Sequence, residues 1–364
     1  MNIAKKNSIL VPLEGVSLFS SIGIGETDLG KIGIQIRLAN ELLENRAELY
    51  KKMYPDSIMI QGDITKKEIF NEVVLRAPKK VDFLLATPPC QGVSIAGKNR
   101  RPINMPQDMR NYLLFSVIEF IKIKAPTYIL IENVPQYIKL YLPFRGKLTS
   151  ITDILEAELG KQYEIESKIF DSSEFGVPQK RNRLIIKLNK KGTNWHWAKP
   201  NKNKVVTTRD AIGHLPSLEA GKDSGIPWHF ARPHSSNHKE WMQHTPTGET
   251  AFSNKKHFPK KSDGTRISGY ESTYRRIRWD EPAPTITMRN DAISSQRNVH
   301  PGRLQKNGVY SDARVLTPLE LMLLTSLPKK WRVPKDTPEI LIRQCIGESV
   351  PPLLIKKIAS KIGK

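Results

Sequence analysis

Residues 81–94 read VDFLLATPPCQGVS. Val81 to Ala86 is a short apolar run of strand character, it stops at Pro88-Pro89, and the next residue is Cys90, one of only two cysteines in the chain. Proline cannot donate to a strand ladder, so the run ends in a turn that delivers one thiol at a strand's mouth. The segment GKNRRPINMPQDMR, which runs on to Arg110, is polar and punctuated by Gly and Pro, as loops are and core connections are not. A thiol at a strand mouth beside such a loop is a nucleophile candidate. A lone cysteine is otherwise a small buried hydrophobe.

Outward from this stretch, strand and helix signals alternate. Gly15 to Phe19 is a strand candidate, and the SSIGIGE after it carries Gly23 and Gly25, which permit a tight turn and close approach of backbone to a ligand. Alone, such a glycine pair is more often a plain turn. A strand from Ile34 to Ala39 leads to Asn40-Glu41, a helix pattern covers Leu42 to Tyr54, and Ile58 to Gln61 is a third strand entering GDIT. Beyond Arg110, Tyr112 to Lys124 reads as a helix with Leu113, Leu114, Val117, Ile118 and Ile121 on its apolar face. Tyr128 to Ile131 is a strand ending in Glu132-Asn133-Val134-Pro135. Ser150 to Gly160 is helix-like, Glu164 to Phe170 a strand, and FGVPQKRNR precedes a strand at Leu184 to Leu188.

This alternation predicts an α/β domain with a mostly parallel, Rossmann-like sheet covered on both faces. In open sheets of this kind ligands bind beyond the C-terminal strand ends, so Glu41, Glu132 and the Cys90 turn are expected along one crevice. A carboxylate closing the second strand can accept both hydroxyls of a ribose, although a glutamate there also suits a helix dipole. Asp63 could equally cap the turn that follows it.

Composition narrows the partners. A formal net charge of +22 over 364 residues calls for a polyanion, nucleic acid first and an acidic membrane surface second. No run of 18 or more apolar residues and no export signal is found, so a cytoplasmic location is expected. Cys90 and Cys345 lack the spacing of a zinc ribbon or a disulfide framework. From Leu184 to Ala313 there are 22 Lys and Arg against 11 Asp and Glu, and all eight histidines lie between Trp195 and His300. Helical periodicity is poor there, and basic residues alternate with aromatics in GYESTYRRIRW. A second, loop-rich domain that grips phosphates is expected. His234 and His238 are four apart, but no third ligand matches them, and no metal site is assigned.

PPCQ, read with ENV at Glu132 to Val134 and QKRNR at Gln179 to Arg183, resembles the cytosine-5 DNA methyltransferase family, and the three motifs stand in the family's order. The resemblance implies a cofactor domain over residues 1–190 and 335–364, and a DNA target-recognition domain over 191–334. It implies S-adenosylmethionine as cofactor and S-adenosylhomocysteine as product, with duplex DNA as substrate. By it, Cys90 is the nucleophile, Glu132 the acid, Arg183 the group on the target base's carbonyl, and Arg181 its neighbour in the site. Phe19, Ser21, Gly23, Gly25, Glu41, Leu42, Asp63, Ile64, Pro88, Leu113, Glu348 and Ser349 fall at cofactor-binding positions. Gln91, Ser94, Lys98, Arg100 and Arg101 on the loop, with Arg275, Arg276, Arg278 and Arg289 in the basic domain, are the DNA-contact candidates.

The sequence departs from the family where DLFAGIGG is usual: Ser17, Ser20 and Ser21 stand for Asp, Ala and the first Gly. Glu348 stands where asparagine is common. The family's setting implies a restriction-modification role beside a cognate endonuclease, and a monomer in the cytoplasm bound to the nucleoid through DNA. Two other readings remain open at this point: a transfer-RNA methyltransferase sharing these motifs, although its Cys-Phe-Thr signature is absent, and a DNA-binding regulator with an inactive methyltransferase fold.

Overall fold

The computed structural model describes residues 12–89, 108–201, 205–328, 331 and 333–363. Cys90, Gln91, Ser94, Lys98, Arg100 and Arg101 lie outside the described residues. The chain forms two compact units, the first from the described parts of 1–169, 184–198 and 355–364, the second from those of 170–183 and 199–354.

The first unit is built on strands β1 (Leu13–Leu18), β2 (Ile34–Glu41), β3 (Ile58–Gln61), β4 (Phe83–Ala86), β5 (Tyr128–Asn133), β8 (Tyr163–Asp171) and β9 (Asn182–Lys190). They form one seven-stranded sheet in the order β3-β2-β1-β4-β5-β9-β8. Pairing is parallel from β3 through β5 and antiparallel between β5 and β9. Every residue of the FLLA in β4 is buried, as a strand covered on both faces requires.

The cover is visible in the alternation. Leu38 and Ile60 join the large core cluster with the helices α2 (Lys67–Arg76), α3 (Leu113–Lys124) and α4 (Ile151–Leu159). Their neighbours Ala39 and Met59 point to the opposite face, where they pack with Ala47 and Tyr50 of α1 (Glu44–Met53). The expected stripe on α3 is buried at Leu114, Val117, Ile118 and Ile121, with Phe120 besides.

Among the elements not anticipated are α2, the helix α8 (Glu339–Glu348), and an antiparallel hairpin of β6 (Tyr141–Phe144) and β7 (Lys147–Ser150). The hairpin turn is Arg145-Gly146, both at positive φ, as a two-residue turn matching strand twist demands. Pro143 inside β6 hides the strand from a propensity reading.

The second unit has little regular structure: α5 (Thr208–Ile212), α6 (Ser236–Gln243), α7 (Pro318–Leu324), α8 and isolated bridges. Trp241, Met242, Tyr274, Ile293, Val299 and Val315 belong to its apolar core. Without a ladder to pair backbone carbonyls, buried guanidinium groups do that work. Arg343 donates to the carbonyls of Asn290 and Leu316, and Arg314 to those of Leu218 and Val315. Arg276 donates to the carbonyls of Met242, His300, Ser311 and Asp312.

This overturns the expectation for Arg276 as a DNA contact, because it is only 1% exposed and all three of its nitrogens are engaged inside the unit. The units also divide differently from the expected limits at 190 and 335. Residues 170–183 and 335–354 belong to the second unit, where Lys180 N–H bonds to Ala283 O at 2.8 Å and Arg181 reaches the carbonyls of Ile286 and Gly347.

Candidate active site

Register brings five strand ends to one edge of the sheet. Leu18 pairs with Asn40 on one side and Ala86 on the other, Glu41 with Gln61, and Ala86 with Ile131. The residues just beyond these pairs are therefore neighbours along that edge: the turn from Phe19, Glu41, Asp63, Pro88 and Glu132.

The turn after β1 is held by backbone and side-chain bonds. Ser20 N–H donates to Asn40 O at 3.0 Å, Ser21 N–H to Glu41 Oε2 at 2.8 Å, and Thr87 Oγ1 to Phe19 O at 3.0 Å. Phe19 and Ser21 both take positive φ, 62° and 51°. Ser21, in the first-glycine position of the family pattern, thus adopts a backbone that glycine holds without strain. Gly23 has φ 77°, and a Cβ there would lie 2.4 Å from a Tyr54 ring atom and 2.9 Å from Tyr50. The hydroxyl of Tyr54 donates to Gly23 O at 2.8 Å. Gly25 is half-buried.

Glu41 is buried at the end of β2, with Oε2 accepting from Ser21 N–H and Oε1 from Leu43 N–H at 2.9 Å. Each oxygen keeps a second lone pair, the acceptor capacity that two vicinal hydroxyls need. Asp63 Oδ1 accepts from Thr65 N–H and Oγ1, so it does stabilise the turn before α2, and its Oδ2 is left to another donor. Leu42 is 56% exposed beside Glu41 and Ile64 is buried beside Asp63. Two carboxylates on adjacent strand ends, each flanked by an apolar residue, fit the ribose and base of an adenosine. The residues present therefore suit S-adenosylmethionine. Leu113, at the start of α3, is half-buried.

At the next strand ends, Pro88 is fixed by Asn133, whose Nδ2 donates to Pro88 O at 3.0 Å while its Oδ1 accepts from Val134 N–H. Asn133 received no role in the sequence reading, although it sits in the quoted ENV. Its signal was there: an amide beside a strand-end acid can tie neighbouring turns. Glu132 is buried on the same strand end.

In the second unit, Arg181 donates from Nη1 to Ile286 O at 2.7 Å and from Nη2 to Gly347 O at 2.8 Å. It ties three segments of that unit together. Arg183 is 8% exposed, and its Nη1 donates to Asn182 O. Along β9 it immediately precedes Leu184, the register partner of Asn133. Glu348 ends α8, and Ser349 Oγ donates to Ile346 O. Arg278 and Arg289 are exposed, Arg275 partly so. Arg278 is paired with Asp280 and Glu281. His234 Nε2 accepts the amide of Val315, and His238 packs edge-on against Tyr274.

The family model for C-5 cytosine-specific DNA methylases matches residues 13–364. The chain belongs to that family. This methylase is 58% identical to the type II methyltransferase M1.HgaI of Avibacterium volantium over 349 residues, 96% of the chain and 97% of the relative. It is 30% identical to the type II methyltransferase M1.HphI of Haemophilus parahaemolyticus over 350 residues, 96% and 86% of the two chains. Among solved structures, a prophage-encoded DNA modification methyltransferase from E. coli shares the fold with TM-score 0.68 at 20% identity, covering 96% of this chain and 98% of that one. The methyltransferase EhMeth of Entamoeba histolytica does so with TM-score 0.63 at 16% identity, covering 96% and 97%. The methylase is thus a DNA cytosine-5 methyltransferase with a Rossmann-like sheet. Among its described residues no helix is long and apolar enough to cross a membrane.

Proposed function

We propose that this methylase modifies C5 of a cytosine rotated out of duplex DNA, through a covalent bond between Cys90 and C6, within a type II restriction-modification system. The observation that carries the reading is the alignment of the Phe19 turn, Glu41, Asp63, Pro88 and Glu132 along one sheet edge. Bound S-adenosylmethionine supplies the electrophilic methyl group.

The residues of the chain supply the rest. Cytosine C5 is a poor nucleophile until something adds to C6. The Cys90 thiolate forms the S–C6 bond, and the C5=C6 electrons move into the ring. A free thiol with a pKa of roughly 8.5 is only a few per cent ionised at neutral pH, so its proton must leave as the bond forms. Glu132 donates a proton to N3 and Arg183 stabilises the charge on O2, both more effective in a site closed to water. C5 then takes the methyl group. Loss of H5 to a base restores the double bond and expels the sulfur of Cys90. Arg181 keeps the Arg183 strand in place.

Rotating a base out costs a few kcal/mol, which contacts to the rest of the DNA must offset. The loop-rich second unit serves for target recognition, with Arg275, Arg278 and Arg289 on phosphates, and Gln91, Ser94, Lys98, Arg100 and Arg101 are further DNA-contact residues. The protein acts as a monomer in the cytoplasm, alongside an endonuclease of the same specificity. The 58% identity to a type II methyltransferase over nearly the full length of both chains supports that setting.

Bisulfite sequencing of DNA from cells expressing the protein gives the modified base and its site together. Duplexes carrying 5-fluorocytosine at that site, with cofactor, are expected to become covalently trapped by the wild type and not by Cys90→Ser. A Cys90→Ser protein that still methylates would refute the nucleophile.

A further inference from the structure

A carboxylate, Glu26, is buried close to the turn after β1. Glu26 closes the short helical turn Ile24–Glu26, is 6% exposed, and lies in the first unit with Ser17, Ser20 and Tyr50. Tyr50 donates its hydroxyl to Glu26 Oε2 at 2.6 Å, and Glu26 Oε1 is buried without a hydrogen bond. The Tyr50 ring packs on Tyr54 at 4.8 Å between centroids, and these are the two rings that wall Gly23. Tyr54 in turn bonds to Gly23 O. A chain of contacts therefore runs from Glu26 through the tyrosine pair to the backbone of the Gly23 turn, one of the cofactor-binding positions the family resemblance implies. Residue 17, near the end of β1, is serine, so no carboxylate stands at that position, and Glu26 is a buried one close by.

We propose that Glu26 is a positioning residue for the cofactor, holding the tyrosine pair and the Gly23 turn in the binding shape when ionised, and giving up its proton as the cationic methionine end binds. The inference rests on the cofactor reading above. Burial pushes the Glu26 carboxyl up to about 7, against the hydroxyls of Ser17, Tyr50 and Ser20, so its ionisation falls in the neutral range. The other titratable groups around it are Tyr50 and Tyr54 on α1, Asp28 two residues on with its partners Lys31 and Lys356, and Glu41 across the Ser21 amide. Burial and the neighbouring Glu26 push the Tyr50 hydroxyl well above its ordinary value, which leaves it a donor throughout. A nearby cation favours the ionised carboxylate, so binding and deprotonation assist each other.

The test is calorimetric titration of the full chain with S-adenosylhomocysteine, which keeps the ammonium group, at pH 6, 7 and 8 in two buffers of different ionisation enthalpy. The wild type is expected to release a fraction of a proton per ligand at pH 7 and to bind several-fold more tightly at pH 8 than at pH 6. Glu26→Gln should bind about tenfold more weakly at pH 8, the equivalent of one pK unit, with no pH dependence and no proton release. Adding Ser17→Asp to Glu26→Gln should restore binding at pH 8 by returning a carboxylate beneath the turn. A wild type that binds without releasing a proton overturns the proposal, whether or not Glu26→Gln folds. So does a Glu26→Gln protein weakened equally at pH 6 and pH 8, the mark of a merely structural side chain. A wild type that binds no S-adenosylhomocysteine at all would instead sink the cofactor reading.

Discussion

Replacing Arg314 with methionine should destabilise the second unit by about 3–5 kcal/mol at pH 8 and do much less harm at pH 5. Arg314 is fully buried, makes two bonds to Glu320 at 2.8 and 2.9 Å and one to Asp312 at 3.0 Å, and reaches the carbonyls of Leu218 and Val315. Methionine fills similar space but leaves the buried Glu320 without its arginine and Asp312 with Arg303 alone. Breaking a buried pair from one side costs about 3–5 kcal/mol, a large share of the roughly 5–15 kcal/mol that holds a domain folded. Burial pushes the Glu320 carboxyl up, yet the Arg314 charge and its two hydrogen bonds outweigh it and hold the group well below its usual range. Without Arg314 burial dominates, Glu320 takes up a proton, and the penalty shrinks as pH falls. Urea unfolding followed by tryptophan fluorescence at pH 8 and pH 5 measures this, with Arg314→Met/Glu320→Gln expected to recover part of the loss at pH 8. A loss below 1 kcal/mol, or one independent of pH, would refute the reasoning.

Acid should also destabilise the wild type. Burial, helped by Arg314, lowers His300 to about 3, and burial, with His238 and nearby arginines, lowers His234 to about 4, so both are neutral in the fold. The unfolded chain binds protons there below pH ~6.5, so stability falls as pH drops from about 6.5 toward 4, read as a falling melting temperature that flattens in His300→Gln. Gly23→Ala forces a left-handed backbone worth about 1–2 kcal/mol of strain on a Cβ that meets Tyr54, and is expected to weaken S-adenosylhomocysteine binding about tenfold or more in calorimetry. Arg278→Ala should lower the salt dependence of DNA binding by about one contact without changing the melting temperature, whereas Arg276→Ala should cost about 3–5 kcal/mol of stability.

Most of the sheet was legible because its strands are short, apolar and bounded by turn residues. Ile58–Gln61 agrees at both ends, and the others shift by a residue or two where fraying and caps decide the limits. That the sheet is mostly parallel was legible too, from the helix patterns between β2 and β3 and between β4 and β5; the strand order was not, since β1 and β2 are joined through short helical turns alone and α2 was not anticipated. Helix α2 follows directly on the Asp63 turn, and its exposed Leu75 and polar face weaken the apolar stripe. The strand-end residues Glu41 and Glu132 were readable because position in the fold implies their edge, whereas Asp63 came from the family resemblance. The ties behind them were not: Asn133 to Pro88, Tyr54 to Gly23 and Tyr50 to Glu26 span 45, 31 and 24 residues, and no local pattern reports such pairs.

Charge was the signal most open to misreading. The basic excess of residues 184–313 points to a polyanion, and Arg278 and Arg289 remain on the surface for one. Yet Arg276 within that stretch, and Arg181, Arg314 and Arg343 outside it, are among the largest fully buried side chains of the protein, each on backbone carbonyls. A unit with so little regular secondary structure leaves carbonyls unpaired in its interior, and a guanidinium carries five donors in a rigid plane that can serve several at once. Lysine could not replace it, because its three donors radiate from one atom and its charge is harder to dehydrate. In GYESTYRRIRW the two uses alternate along the chain: Arg276 turns inward and Arg278 outward, two residues apart. Ile277 between them and Trp279 after Arg278 are both buried, so the segment is no strand with one face in and one face out, and a period-2 reading would have placed both arginines on the same side.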